Sequence, residues 1–257
     1  MTIPPLVPLG FETDEGYGDR ARLGLIVLET DQTIEAEAQA VTHRLDGVTI
    51  YHSRIRMEPE VTRETLTAMK ARLPEAAGLL PNAFGFDAIG YGCTSASTLI
   101  GSDGVAECIE SAHPRVPNTE PITAAITAMH ALDATRVAIV TPYTAAVTAP
   151  VAQRFLAAGL EVTGLGSFTQ SSDLVVARIS SASIADGVRS IVEQGDCDAV
   201  FVSCTSLRVL GIAPELETEL GVPIVSSNMA LIWHLLRLAG VDDDLAAFGR
   251  LFSSSLP

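Results

Sequence analysis

Asp87-Ala88-Ile89 returns as Asp198-Ala199-Val200, and Cys93-Thr94-Ser95 returns as Cys204-Thr205-Ser206, each 111 positions later. Gly47 finds a counterpart in Gly159 after 112 positions and Arg22 in Arg136 after 114. Registrations that drift by so little mark a duplicated unit, which restricts the chain to an architecture whose halves repeat one order of elements. That order alternates strands and helices. "RLGLIVLET" (22–30) is a buried-strand run and "IEAEAQAVTHRL" (34–45) has helical periodicity. "GVTIYHSRI" (47–55) predicts a strand, 61–80 a helix interrupted at Pro74, and "FDAIGYG" (86–92) a strand leading into Cys93. The second half repeats this with strands at 135–143 and 160–168, helices over 148–159 and 182–195, and "CDAVFVS" (197–203) leading into Cys204. Each half closes on a short strand before a helix, in "RVPNTEP" (115–121) and "GVPIVSSN" (221–228).

Strands joined through helices predict an α/β fold of two pseudo-symmetric parallel-sheet halves, with the active site in the cleft between them. The division is drawn at 1–118, a half that the C-terminal helix can complete, and 119–257. Ligands in such sheets bind beyond the carboxyl ends of the strands, and both repeated cysteines stand there. If the halves are related by a twofold axis, Cys93 and Cys204 face one another across the cleft.

A thiol in a strand-to-helix turn, surrounded by N–H groups and hydroxyls, can serve as base or nucleophile near neutral pH. Thr94, Ser95, Thr205 and Ser206 are the cap and first-turn types such a turn uses, and its N–H groups suit a carboxylate. The plainer alternative is that these cysteines pack beneath a turn. Cys93 is expected to be the more accessible thiol, its thiolate the better stabilised, and Cys204 the enclosed proton donor.

The remaining features exclude function classes. A net charge of -15 with 16 scattered Lys and Arg argues against nucleic acid. No apolar run reaches membrane-spanning length and "MTIPPLVPLGFETDEG" lacks a basic start, so no membrane association is expected and the location read is cytoplasmic. The 4 cysteines make no CxxC pair and no Cys/His cluster at zinc spacing, and "GSDG" and "GLGS" lack the setting of a phosphate loop. No metal and no cofactor is therefore expected. The partner is a small carboxylate or amino-acid substrate, with the choice between monomer and homo-oligomer open. Cys108 and Cys197 read as packing thiols. His43, His52, His113, His130 and His234 read as structural residues on helices or loops, and Asn228 as a residue that either reaches the cleft or caps a helix, with capping favoured.

"GYGCTSAS", "VSCTSLR" and "IVTPY" together resemble the aspartate/glutamate racemase superfamily, in its maleate cis–trans isomerase and arylmalonate decarboxylase branch, which includes ectoine-utilisation proteins. The resemblance runs over nearly the whole chain. It implies cofactor-independent chemistry in a closed cleft, with Cys93 and Cys204 as the two thiols and Thr94, Ser95, Tyr143 and the N–H of Thr205 holding a carboxylate. Decarboxylases of this branch have glycine where Cys93 stands, so the paired thiols resemble the isomerases and racemases more. An arylmalonate-type decarboxylase and a non-catalytic carboxylate-binding protein are the alternatives. Maleate isomerases carry asparagine shortly after the first strand, and the matching residue here is Asp31. An aspartate there would repel a dicarboxylate and suit an ammonium or amidine group, unless it only caps the helix that follows.

Overall fold

The computed structural model describes residues 3–58 and 60–257. Its first half runs β1 (Ala21–Leu28), α1 (Ile34–Thr42), β2 (Val48–Ile55), α2 (Arg63–Ala68), α3 (Leu73–Gly78), β3 (Ala88–Gly92), α4 (Thr94–Ile100), α5 (Ser102–Ala112) and β4 (Asn118–Thr119). After α6 (Pro121–Ala131), the second runs β5 (Arg136–Tyr143), α7 (Ala145–Ala157), β6 (Glu161–Gln170), α8 (Asp173–Val176), α9 (Ser181–Val192), β7 (Ala199–Val202), α10 (Ala213–Leu220), β8 (Ile224–Ser226) and α11 (Ser227–Leu238). The strands pair as β2-β1-β3-β4 and β6-β5-β7-β8. Every pairing is parallel. The α/β class and the two-sheet plan agree with the duplicated pattern.

The repeated residues make repeated contacts. Asp87 Oδ2 accepts the Arg22 N–H at 2.8 Å, and Asp198 Oδ2 accepts the Arg136 N–H at 2.8 Å. Return bonds run from the Asp87 amide to the Arg22 carbonyl at 2.9 Å and from the Asp198 amide to the Arg136 carbonyl at 2.7 Å. Each carboxylate thus ties the start of a central strand to the chain entering its neighbour. Gly47 at φ +72 and Gly159 at φ +83 turn the chain from a helix into an edge strand, in a conformation that costs a Cβ-bearing residue about 1 kcal/mol or more.

Central strands are covered on both faces, which is why they read as continuous apolar runs. On one face of the first sheet a Cβ added at Gly90 would meet Leu235 of α11 at 3.0 Å, and one at Gly92 would meet Ile34 of α1 at 3.1 Å. Glycine lets both helices approach the end of β3 closely. α11 lies against β3 and β4 although it follows the second sheet, and it also packs on α6. Thr119 and the His234 ring share a hydrogen bond of 2.8 Å, and buried Arg237 donates to the carbonyls of Val241, Phe252 and Ser254. Among the described residues no helix is long and apolar enough to cross a membrane.

Three local expectations differ from the structure. The 61–80 helix breaks earlier than Pro74: a Thr62/Thr65 capping box starts α2, a 3₁₀ turn follows at Met69–Ala71, and Pro74 sits in the first turn of α3, where its missing N–H costs nothing. His52 lies in β2, not on a helix or loop, and burial lowers its pKa. No helix follows Cys204 directly; a turn over Thr205–Leu207 leads through a loop to α10, so the cap-type residues there serve a turn instead.

Candidate functional site

β3 ends at Gly92, and Cys93 is the N-cap of α4 in extended conformation. Its carbonyl accepts from the Ser97 amide at 3.1 Å and the Ser97 hydroxyl at 2.6 Å, which pins the turn; its Sγ lies 3.7 Å from the Ser95 hydroxyl. β7 ends at Val202, and Cys204 turns the chain at φ +98, a conformation rare for a residue with a side chain. The Ser206 amide points at the Cys204 sulfur at 3.5 Å. One side chain ties the two turns together: Ser227 Oγ accepts from the Thr94 hydroxyl at 2.8 Å and from the Cys204 amide at 3.0 Å. The Thr205 hydroxyl reaches back to the Gly92 carbonyl at 3.4 Å.

The duplicated cysteines therefore meet in one seam between the sheets. Both are buried, Cys93 to 2% exposure and Cys204 to 6%, so Cys93 is not the more accessible thiol. Nor is its thiolate favoured. Burial pushes Cys93 up to about 11 against the opposing Ala96 N–H and Ser95 hydroxyl. Burial raises Cys204 further, with Asp173 adding to it. Burial thus favours the protonated form of both thiols and raises Cys93 less than Cys204. Tyr143 ends β5 beside them; burial holds its phenol protonated, and the nearness of Cys204 and then Cys93 reinforces this.

The hydroxyls divide. Thr94 is committed to Ser227, Thr205 to Gly92, and Ser206 donates to Asp173 Oδ1 at 3.0 Å. The Ser95 hydroxyl makes only the weak Cys93 contact. Asp31 both caps and faces inward. Its Oδ1 accepts the amides of Thr33 and Ile34, each at 2.8 Å, while its Oδ2 is buried with no hydrogen-bond partner. Burial pushes Asp31 up to about 6.

Sequence reasoning missed three residues. Asp173, at the start of α8, accepts from Thr30 at 2.6 Å and from Ser206, bridging the halves over the seam, and nothing in "QSSDLVV" marks it. Ser227 was hidden in the serine pair opening α11, where Ser226 is the true cap. Glu37 accepts the amides of Val209 and Leu210 at 3.0 Å each and the Asn228 side-chain amide at 2.8 Å. Its presence on the apolar face of α1, in line with Ile34 and Val41, was the available signal. Asn228 is accordingly no cap: it lies inside α11 and donates also to the Thr205 carbonyl at 2.9 Å, bracing the Cys204 turn from behind.

Comparison with known proteins places this arrangement. The family model described as arylmalonate decarboxylase matches residues 23–252. The arylmalonate decarboxylase of Bordetella bronchiseptica is 35% identical over 142 residues, 54% of this chain and 59% of that enzyme. The maleate isomerase of Pseudomonas putida is 26% identical over 91% of this chain and 98% of its own length. Among solved structures, a cysteine-to-alanine variant of the Pseudomonas putida S16 maleate isomerase with maleate superposes with a TM-score of 0.83 at 26% identity, over 92% of this chain and 98% of that one. A cysteine-to-serine mutant of the Nocardia farcinica maleate isomerase, carrying a covalently bound succinylcysteine intermediate, gives 0.79 at 25% identity, over 91% and 98%. The chain belongs to the arylmalonate decarboxylase family.

Proposed function

We propose that the protein is a cofactor-independent isomerase that acts on a small carboxylic acid with Cys93 and Cys204 as a pair. The observation that carries this reading is the convergence of two repeat-related cysteine turns, linked through Ser227, in one buried seam. A binding protein needs no thiol there, still less two.

The chemistry requires one thiolate and one thiol. Cys93, raised less by burial than Cys204, loses its proton to solvent as substrate enters, and Cys204 keeps its own. For inversion at a carbon, the Cys93 thiolate takes the α-proton and Cys204 delivers a proton to the opposite face. For cis–trans isomerisation, the thiolate adds to one carbon of the double bond while Cys204 protonates the next; rotation about the new single bond and reversal of both steps restore the pair. The succinylcysteine seen in the Nocardia farcinica enzyme supports the second route in that relative. Tyr143 and Ser95 supply hydroxyl donors for the carboxylate.

Decarboxylation is the second reading, favoured by the family model and by the identity to the Bordetella bronchiseptica enzyme. Cys204 alone would then protonate the carbanion left when carbon dioxide departs. A proton NMR time course with a panel of small acids in deuterated buffer separates the reactions. Racemisation exchanges the α-proton, isomerisation moves vinyl resonances, and decarboxylation removes a carboxylate. Cys93→Ser and Cys204→Ser are each expected to abolish turnover, with Cys93→Ser changing ligand affinity less than about tenfold, roughly 1.4 kcal/mol. Activity is expected to survive chelation and to be lost on thiol alkylation. Near-normal turnover by Cys93→Ser would overturn the two-thiol mechanism in favour of the single-thiol one.

A further inference from the structure

The seam holds two buried carboxylates with no basic partner. Asp173 receives one neutral hydroxyl on each oxygen, from Thr30 and from Ser206. Asp31, two residues from the first amide it caps, presents a buried oxygen that has no partner at hydrogen-bond distance, with the Thr205 hydroxyl near its carboxylate. The two belong to one place: Thr30 binds Asp173, the Thr33 hydroxyl donates to the Ser206 carbonyl at 2.9 Å, and Ser206 follows the Cys204 turn. Both carboxylates raise the Cys204 thiol, and Asp173 raises Asp31.

No Lys or Arg among the described residues forms an ion pair with either. Arg54 approaches from outside, but it donates to the backbone carbonyls of Leu28, Glu29 and Asp31 and pairs with Glu35. Negative charge taken out of water without a counter-ion is costly, and an unpartnered acceptor oxygen adds to that cost. A ligand bearing positive charge relieves both; a dicarboxylate aggravates both.

Resting on the reading of the seam as the catalytic site, we infer that the substrate carries a protonated amine beside its carboxylate, hydrogen-bonded to Asp31 Oδ2 and held in the field of Asp173. The class is thus an amino-acid-like zwitterion, not a simple dicarboxylate. Selectivity at the cationic end comes from Asp31, whose free oxygen can accept one ammonium N–H. Asp173, with both oxygens already occupied, acts through charge.

The test is calorimetric titration at pH 7.5 of the whole protein with acids matched in skeleton: aspartate against succinate, glutamate against glutarate, alanine against propionate, both enantiomers of each amino acid. At least one amino acid is expected to bind about tenfold or more tightly than its amine-free counterpart. Asp31→Asn keeps a side-chain oxygen for the cap and should erase or reverse that preference; Asp173→Asn should weaken it. Circular dichroism melts show whether each variant is folded, and Asp173→Asn tests the idea should Asp31→Asn not be. Equal affinity across every pair, tighter binding of the amine-free acids, or no amino acid bound would overturn the inference. The catalytic reading fails separately: if succinate or maleate binds best and maleate is converted in a thiol-dependent reaction, the isomerase stands and the cation does not. Tight amino-acid binding without thiol-dependent exchange leaves the cation standing and removes the isomerase.

Discussion

Cys204 spends conformational energy to hold its sulfur where it does. At φ +98 it occupies a region that favours glycine, and its amide is held there by Ser227. Two thiol-less variants separate this strain from the chemistry. Cys204→Gly is expected to be more stable than Cys204→Ala by about 1 kcal/mol, the reverse of the usual order, when both are unfolded in urea. A less stable glycine variant would show that the turn is not strained. The pair Cys93 and Cys204 was legible in the sequence because repetition exposed it. Their surroundings were not, because hydroxyl residues of one type serve different partners: Thr94 and Thr205 knit the turns together, whereas Ser95 makes only a weak contact with Cys93. Asp31 was half legible. Its capping bonds follow from residue type and position, whereas the bare second oxygen depends on what tertiary packing brings over it.

Among elements, the repeat predicted equivalent roles and the structure grades them. Gly47 and Gly159 both turn at positive φ, yet a methyl at Gly159 meets nothing within 4 Å, while one at Gly47 would press on Arg20 Cβ at 2.9 Å and Asp19 Oδ1 at 2.6 Å. Gly159→Ala should cost about 1 kcal/mol in urea unfolding, and Gly47→Ala measurably more. Equal losses would mean that the 18–20 segment yields freely. Strand placement and sheet type were readable because buried parallel strands leave continuous apolar runs. The break in 61–80 and the missing helix after Cys204 were not, because cap and turn residues look alike in sequence until the backbone that they serve is known.

Across the whole molecule, the halves are joined by a buried acid. Glu37 of α1 receives the loop after Cys204 and, through Asn228, its turn; burial pushes its carboxyl up to about 7. The folded protein therefore holds this proton more firmly than the unfolded chain. The stability it contributes is complete below the ordinary carboxyl value and is lost as pH rises through about 7, and Asp31 acts in the same sense up to about 6. Burial that lowers His234 to about 4 works in the opposite sense below pH 6.5, so the test is the difference in urea unfolding: Glu37→Gln should lose about 1–3 kcal/mol less stability than the parent between pH 5 and pH 8. An unchanged slope would assign the pH dependence elsewhere.

The placement of α11 over β3 and β4 has a consequence for biosynthesis. A chain leaves the ribosome from its N-terminus, so all four strands of the first sheet emerge well before the helix that roofs them. Until Leu231 and Leu235 arrive, the glycine-thinned face of β3 is open to water, to chaperones and to other nascent chains. The half translated first is the half finished last.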